Sequence, residues 1–139
     1  GTEGLCYKVK HRASGKYYAM KKPRVYPKGE GVPYYMLREL TFLQGLYHPH
    51  IAKLERIAFS NDELYVFFKY VEYSLFELIN PTNDPTGGAA LPQKLAKRFL
   101  YQMIQGVAFC HKRGVLHRNI KPKHLLVDVP LLPNEFFTH

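Results

Sequence analysis

YYMLRELTFLQGLY, residues 34–47, repeats Met36, Leu40 and Leu43 at helical spacing, and it sits between two stretches that read as strands. Pro33 precedes it as a good helix starter. Glu39 falls on the same apolar face, where an unpartnered carboxylate is very costly, so the fold is expected to bring it a cation or a donor. Upstream, LCYKVKHRASGKYYAMKK (5–22) contains two short runs rich in Tyr and Val, and Ser14-Gly15 between them signals a hairpin turn. Downstream, IAKLERIAFSNDELYVFFKYV (51–71) reads as two more strands around Ser60-Asn61-Asp62. The longest helix is expected in QKLAKRFLYQMIQGVAFCHKRG, started by Pro92 and capped near Gly114. Its expected buried stripe is Ala96, Leu100, Met103 and Val107, with Phe99 and Cys110 alongside. Residues 23–33 and 80–92 are Pro- and Gly-rich loops. The order strands, helix, strands, helix predicts an α+β fold: a small sheet with one packed helix, then a mainly helical part from about residue 74.

Bulk properties narrow the class. The 139 residues are 46% hydrophobic, enough for one domain with a core. No apolar run approaches the roughly 18 residues of a membrane span, and no signal-peptide pattern opens the chain. A start at Gly1 reads as a trimmed or partial sequence. Cys6 and Cys110 are far apart and predict reduced thiols in a cytoplasmic or nuclear protein. The net charge of +9 favours acidic partners. The cations are dispersed in pieces such as KKPR and HKRG, so neither nucleic acid nor membrane is expected as a partner.

The motifs, taken in order, resemble the protein-kinase signature set, and within it a cyclin-dependent kinase. GTEGLCYKV resembles the second half of a glycine-rich loop, and YAMKK the strand that carries the ATP-binding lysine. EGVPYYMLREL resembles the cyclin-binding helix, and ELYVFFKYV and GVAFCHKRGVLHRNIKP the blocks that follow. The resemblance runs from residue 1 to about 127. It implies an N-terminal β-sheet lobe with one helix over 1–73, the first part of a helical C-terminal lobe over 74–129, and a divergent tail over 130–139.

The resemblance also implies roles. Gly1 and Gly4 match loop glycines that approach phosphate closely. Lys21 matches the lysine that pairs ATP phosphates, and Glu39 its helix partner, which answers the need for a cation beside Glu39; a purely structural ion pair is the plain alternative. Phe68 matches a bulky hinge residue, and Lys69 and Val71 offer backbone to the adenine edge. Cys6, Ala19 and Leu126 would line the adenine pocket, or serve as ordinary core. Pro33 and Leu37 stand where a cyclin-like protein would grip the helix. Arg38 belongs to the same helix and, with Arg118, matches arginines that hold an activation-loop phosphate. Tyr34, Tyr35 and Met36 are bulkier than the family's usual residues there. Thr2 matches an inhibitory phosphorylation site, and Glu3 stands where a tyrosine is usual.

Three departures concern catalysis. Asn119 replaces the aspartate that accepts the proton of a protein substrate's hydroxyl, and an amide cannot take that proton at neutral pH. His124 replaces an asparagine that binds Mg2+, an ion that prefers oxygen ligands. No Asp-Phe-Gly follows LLVDV, so Lys121 keeps its substrate-side position without a complete set around it. A transition-metal set of Cys110, His111, His117 and His124 fits no strong zinc spacing. The expected function is a truncated, partner-binding pseudokinase that contacts ATP and fits Mg2+ poorly. An active cyclin-dependent Ser/Thr kinase seen in part and a decayed gene product stand as alternatives. The apolar face of the long helix is expected to be partly uncovered.

Overall fold

The structure is a computed structural model that describes residues 5–23, 29, 31–80 and 90–128. The chain divides into two compact units, Gly1–Tyr70 and Val71–His139.

In the first unit, β1 (Cys6–Lys10), β2 (Tyr17–Lys21), β3 (Leu54–Ser60) and β4 (Glu63–Lys69) form an antiparallel sheet in the order β1-β2-β4-β3. The first hairpin closes where the Gly15 N–H donates to the His11 carbonyl at 2.8 Å. Gly15 has φ +69°, a left-handed conformation that glycine adopts without a Cβ penalty. The second closes through Asn61 and Asp62, with φ of 51° and 58°. Two left-handed residues in succession match the twist of the flanking strands, and Asn and Asp tolerate that conformation better than most residues.

Alternation along β4 sends Leu64 and Val66 to the same side, where they are buried with Leu54 of β3 and Leu40 of α1 (Tyr34–Gln44). Met36 and Leu43 pack against this cluster from the helix, so the expected stripe of α1 forms. The helix stops at Gln44, three residues short of the expected end, and the Gly45 N–H caps it through the Thr41 and Phe42 carbonyls. Glu39 differs from expectation: it is exposed. Successive side chains advance by about 100° around a helix. Glu39 therefore sits beyond the edge of the arc shared by Met36, Leu40 and Leu43, and water solvates its carboxylate.

In the second unit, β5 (Tyr73–Ser74) pairs with β6 (Leu126–Val127). Ser74 opens the short helix α2 (Leu75–Ile79) with a capping box, in which Glu77 reaches back to the Ser74 N–H. Neither the two-residue strands nor α2 is long enough to show a period in the sequence. The helix α3 (Gln93–His111) follows, and Gly114 beyond it has φ +74°. Leu95 and Val127 are buried together, with Leu75, Leu78, Leu91 and Phe99 packed around them. The buried side of α3 is therefore set by Leu95, Phe99 and Gly106. Leu100, one step of about 100° past Phe99, is 53% exposed, which corrects its place in the expected stripe. The expected uncovered apolar surface is seen at Leu100, Tyr101 and Ile104.

Both cysteines are free thiols. Among the described residues, no helix is long and apolar enough to cross a membrane.

Candidate functional site

Residues opposite one another across an antiparallel ladder share a face of the sheet. Cys6 pairs with Lys21, Ala19 with Phe68, and Lys21 with Val66. The register thus gathers Cys6, Ala19, Lys21 and Phe68 on the face that carries Val66. Residues from three strands become one surface, apolar at Ala19 and Phe68 and cationic at Lys21. The Lys21 Nζ lies 5.6 Å from the Phe68 ring centroid, within cation–π range.

The next lysine is turned away. Lys22 lies on the opposite side, where its ammonium ion-pairs with Glu63. The hydrogen bond to that carboxylate raises Lys22 above the ordinary lysine value. Strand alternation therefore leaves only Lys21 of the Lys-Lys pair on the shared face. Among the described residues, no ion pair joins Lys21 to Glu39, so the pairing expected from the sequence is absent from this conformation; both side chains are exposed.

The same face extends to a group the sequence reading missed. Lys8 pairs with Ala19, and its Nζ lies 4.3 Å from the Tyr70 ring centroid and 5.0 Å from that of Tyr17. The alternating Lys8 and Lys10 of β1, set against Tyr17 of β2, was the available signal. Lys69 ends β4 opposite Tyr18, and Val71 begins the second unit. Gly1, Gly4, Thr2 and Glu3, and the tail over 130–139, lie outside the described residues.

In the second unit, the stretch from His117 to Leu125 links α3 to β6. Asn119 is exposed, and its backbone is held from both ends. Its N–H donates to His117 Nδ1 at 3.2 Å, and its carbonyl lies 2.9 Å from His124 Nδ1. A carbonyl only accepts, so His124 carries its proton on Nδ1; His117 Nδ1 accepts, so it is unprotonated. The two rings lie 6.2 Å apart, tilted by 39°. Arg118 between them has φ +62°, a left-handed conformation unusual for a residue with a side chain. A 3-10 turn at Pro122–His124 follows, in which the His124 N–H donates to the Lys121 carbonyl. Lys123 Nζ rests 4.6 Å from the Phe76 ring centroid, and the Leu75 N–H donates to the Leu125 carbonyl at 2.7 Å. These contacts tie the loop to α2. Lys121 and Leu126 are exposed beside it.

The loop can orient a hydroxyl through the Asn119 amide, and it offers no carboxylate base at that position. At the position that the resemblance assigns to a Mg2+ ligand stands His124, whose imidazole nitrogen is a poor substitute for a hard oxygen. Among the described residues, no three His, Cys, Asp or Glu side chains gather as a metal-ligand set, so Cys110, His111, His117 and His124 do not form one.

On α1, the Pro33 carbonyl accepts from the Met36 and Leu37 N–H groups, and Leu37 and Arg38 are exposed. The aromatic side chain Phe42, which the sequence reading passed over, is exposed on the same helix.

The protein kinase domain family model matches residues 1–131 of the chain. The chain therefore belongs to the protein kinase family, and its α+β arrangement of sheet, packed helix and following helices is consistent with that fold.

Proposed function

We propose, from membership of the protein kinase family, that this chain is a cyclin-dependent-kinase-like pseudokinase, a domain that contacts nucleotide and partner protein while transferring phosphate poorly. The observation that carries the reading is Asn119 at the base position. Its backbone is held by Nδ1 of both His117 and His124, and its own side chain is an amide, which cannot take a hydroxyl proton at neutral pH. Loss of general-base help typically costs ~10²–10⁴-fold in rate. The poor fit of His124 to Mg2+ acts in the same direction.

Nucleotide contact is supported by the shared face of the first unit. Ala19, Phe68 and Cys6 offer an apolar surface to a purine, and Lys21 offers a cation to its phosphates. ATP, when bound, supplies the phosphoryl group; the chain's own residues hold and orient it. Pro33, Leu37 and Arg38 on α1 would meet a cyclin-like partner.

Thermal unfolding with ATP, with and without Mg2+, tests the nucleotide contact. A rise in Tm with ATP that needs no Mg2+, and that Lys21→Met removes, is expected. No rise at millimolar ATP refutes that part. A phosphotransfer assay on a general protein substrate with purified cyclins tests the rest, and turnover that depends on Lys21 overturns the pseudokinase reading in favour of an active Ser/Thr kinase.

A further inference from the structure

Strand alternation puts Cys6, Lys8 and Lys10 of β1 on one face of the sheet, opposite Lys21, Ala19 and Tyr17 of β2. On β4 the same face carries Val66 and Phe68, and Tyr70 follows at the next alternate position, inside the first unit. The block joins the cations Lys8, Lys10 and Lys21 to aromatic rings and contributes no carboxylate of its own. Lys8 Nζ lies 4.3 Å from the Tyr70 ring centroid and 5.0 Å from that of Tyr17. Lys10 Nζ lies 5.6 Å from the same Tyr17 ring, which stands 6.5 Å from Tyr70. An ammonium over a ring keeps its charge, and its N–H donors remain available on the side away from the ring. Two like charges gathered at one ring repel, and an anion placed between them relieves that repulsion. Lys21, over Phe68, stands at the other end of the block. Lys8 pairs with Ala19, two residues from Lys21, so the two lysines are diagonal neighbours. Such neighbours are about 7–8 Å apart, a spacing that suits two phosphates on opposite sides of one ribose.

We infer that this face takes a purine nucleoside 3′,5′-bisphosphate, with the 5′-phosphate on Lys21, the base on Ala19 and Phe68, and the 3′-phosphate on Lys8 with Lys10 beside it. The inference rests on the nucleotide-contact reading of this face and names its ligand class. A nucleotide whose phosphates form a single chain satisfies Lys21 and leaves Lys8 and Lys10 without a phosphate. A single strand of nucleic acid also carries phosphate on both sides of each ribose, but it needs cations that continue along its path. Past Lys21 the face passes instead into the core at Val66 and Leu64, which are buried. The cationic block is therefore matched to one nucleotide.

Adenosine 3′,5′-bisphosphate and ADP share base, sugar and number of phosphates, and differ only in where the second phosphate sits. Isothermal titration calorimetry of the whole chain with each compound tests the idea. The bisphosphate is expected to bind about tenfold tighter, the worth of one charge-assisted hydrogen bond. Lys8→Met should remove that preference, and Lys10→Met should reduce it to about threefold. Lys8→Arg, which keeps a cation, should retain it. Unchanged ADP affinity in these variants is the control for folding. Lys22→Met takes a lysine from the opposite face and should leave the preference intact. Equal affinities in the wild type, or tighter binding of ADP, overturn the inference and spare nucleotide contact. A preference that survives Lys8→Met and Lys10→Met combined also overturns it. Failure of both compounds to bind at millimolar concentration overturns the nucleotide reading and the inference with it. An adenine tetranucleotide of RNA that binds more than about tenfold tighter than the bisphosphate overturns the inference in favour of a single strand.

Discussion

Leu54→Ala and Leu100→Ala are chemically identical changes for which the structure predicts opposite outcomes. Leu54 is 1% exposed, pairs across the ladder with Phe68, and packs in the cluster that joins α1 to the sheet. Burying such a side chain fully is worth about 1.5–3 kcal/mol in transfer alone. The cavity left behind raises the cost of Leu→Ala to about 2–5 kcal/mol. Leu54 has close neighbours on three elements that cannot all collapse into the gap, so a loss of about 3 kcal/mol is expected. Leu100 already meets water over half its surface, and its truncation should lie within about 0.5 kcal/mol of neutral. Urea unfolding followed by far-UV circular dichroism gives both numbers, and an unchanged m-value shows that stability and not compactness has moved. The periodicity of the sequence put Leu100 in the buried stripe of α3. A loss of about 3 kcal/mol at Leu100, or below about 1 kcal/mol at Leu54, refutes this packing. The cavity would also lie against Phe68, so Leu54→Ala should weaken ATP contact along with stability.

Two further substitutions probe the polar contacts. His124→Ala removes the Nδ1–H donor to the Asn119 carbonyl, and trypsin should then cut faster after Arg118, whereas with His124→Asn, which keeps a donor, it should cut there at the parent rate. An equal increase for both variants shows that the imidazole hydrogen bond does not hold the loop. The Lys22–Glu63 pair gives a pH test: because Glu63 raises the Lys22 value in the folded state, its contribution is fully present below the ordinary lysine value of 10.5 and is lost as pH rises through the higher folded value. Wild type and Lys22→Met should therefore differ in Tm near neutral pH and converge in strongly alkaline solution; a gap that persists there assigns the difference to packing.

Much of the fold was legible because its signals are local. The turn residues at Ser14-Gly15 and at Asn61-Asp62 mark both hairpins, and Met36, Leu40 and Leu43 mark the core face of α1. The shared face of Cys6, Ala19, Lys21 and Phe68 was legible only through resemblance, since no local pattern tells which strand follows which across a sheet. The β5–β6 pair and α2 were not legible at all. A two-residue strand has no period, and the Ser74-x-x-Glu77 capping signal is common outside helices of any length. Leu100 misled because α3 is apolar over more than one arc, so periodicity alone could not choose between a face centred on Phe99 and one centred on Leu100. Burial of Val127 against Leu95, a contact between distant parts of the sequence, settles the choice.

Glu39 marks where sequence logic and structure part for a reason that bears on function. A buried carboxylate demands a cation, and the resemblance of its spacing to the family pattern offered Lys21 as one. Exposure removes the demand, since a solvated carboxylate gains little from a surface ion pair, typically below about 1 kcal/mol. The pair is therefore not something the first unit needs in order to fold. Its formation must be driven by something that excludes water from α1 or draws Lys21 toward the helix. On the proposed function, a partner protein seated on α1 would turn the helix, and nucleotide phosphates would reposition Lys21. These two influences act on the same pair and should reinforce each other: ATP affinity should rise when a bound partner favours the paired arrangement, and partner affinity should rise by the same factor with ATP, as linkage requires. Glu39→Gln should abolish that mutual enhancement and leave each separate affinity nearly unchanged. Undiminished enhancement in the variant would show that Lys21 and Glu39 never meet in the working state, and that this chain has given up the ion pair as well as the base.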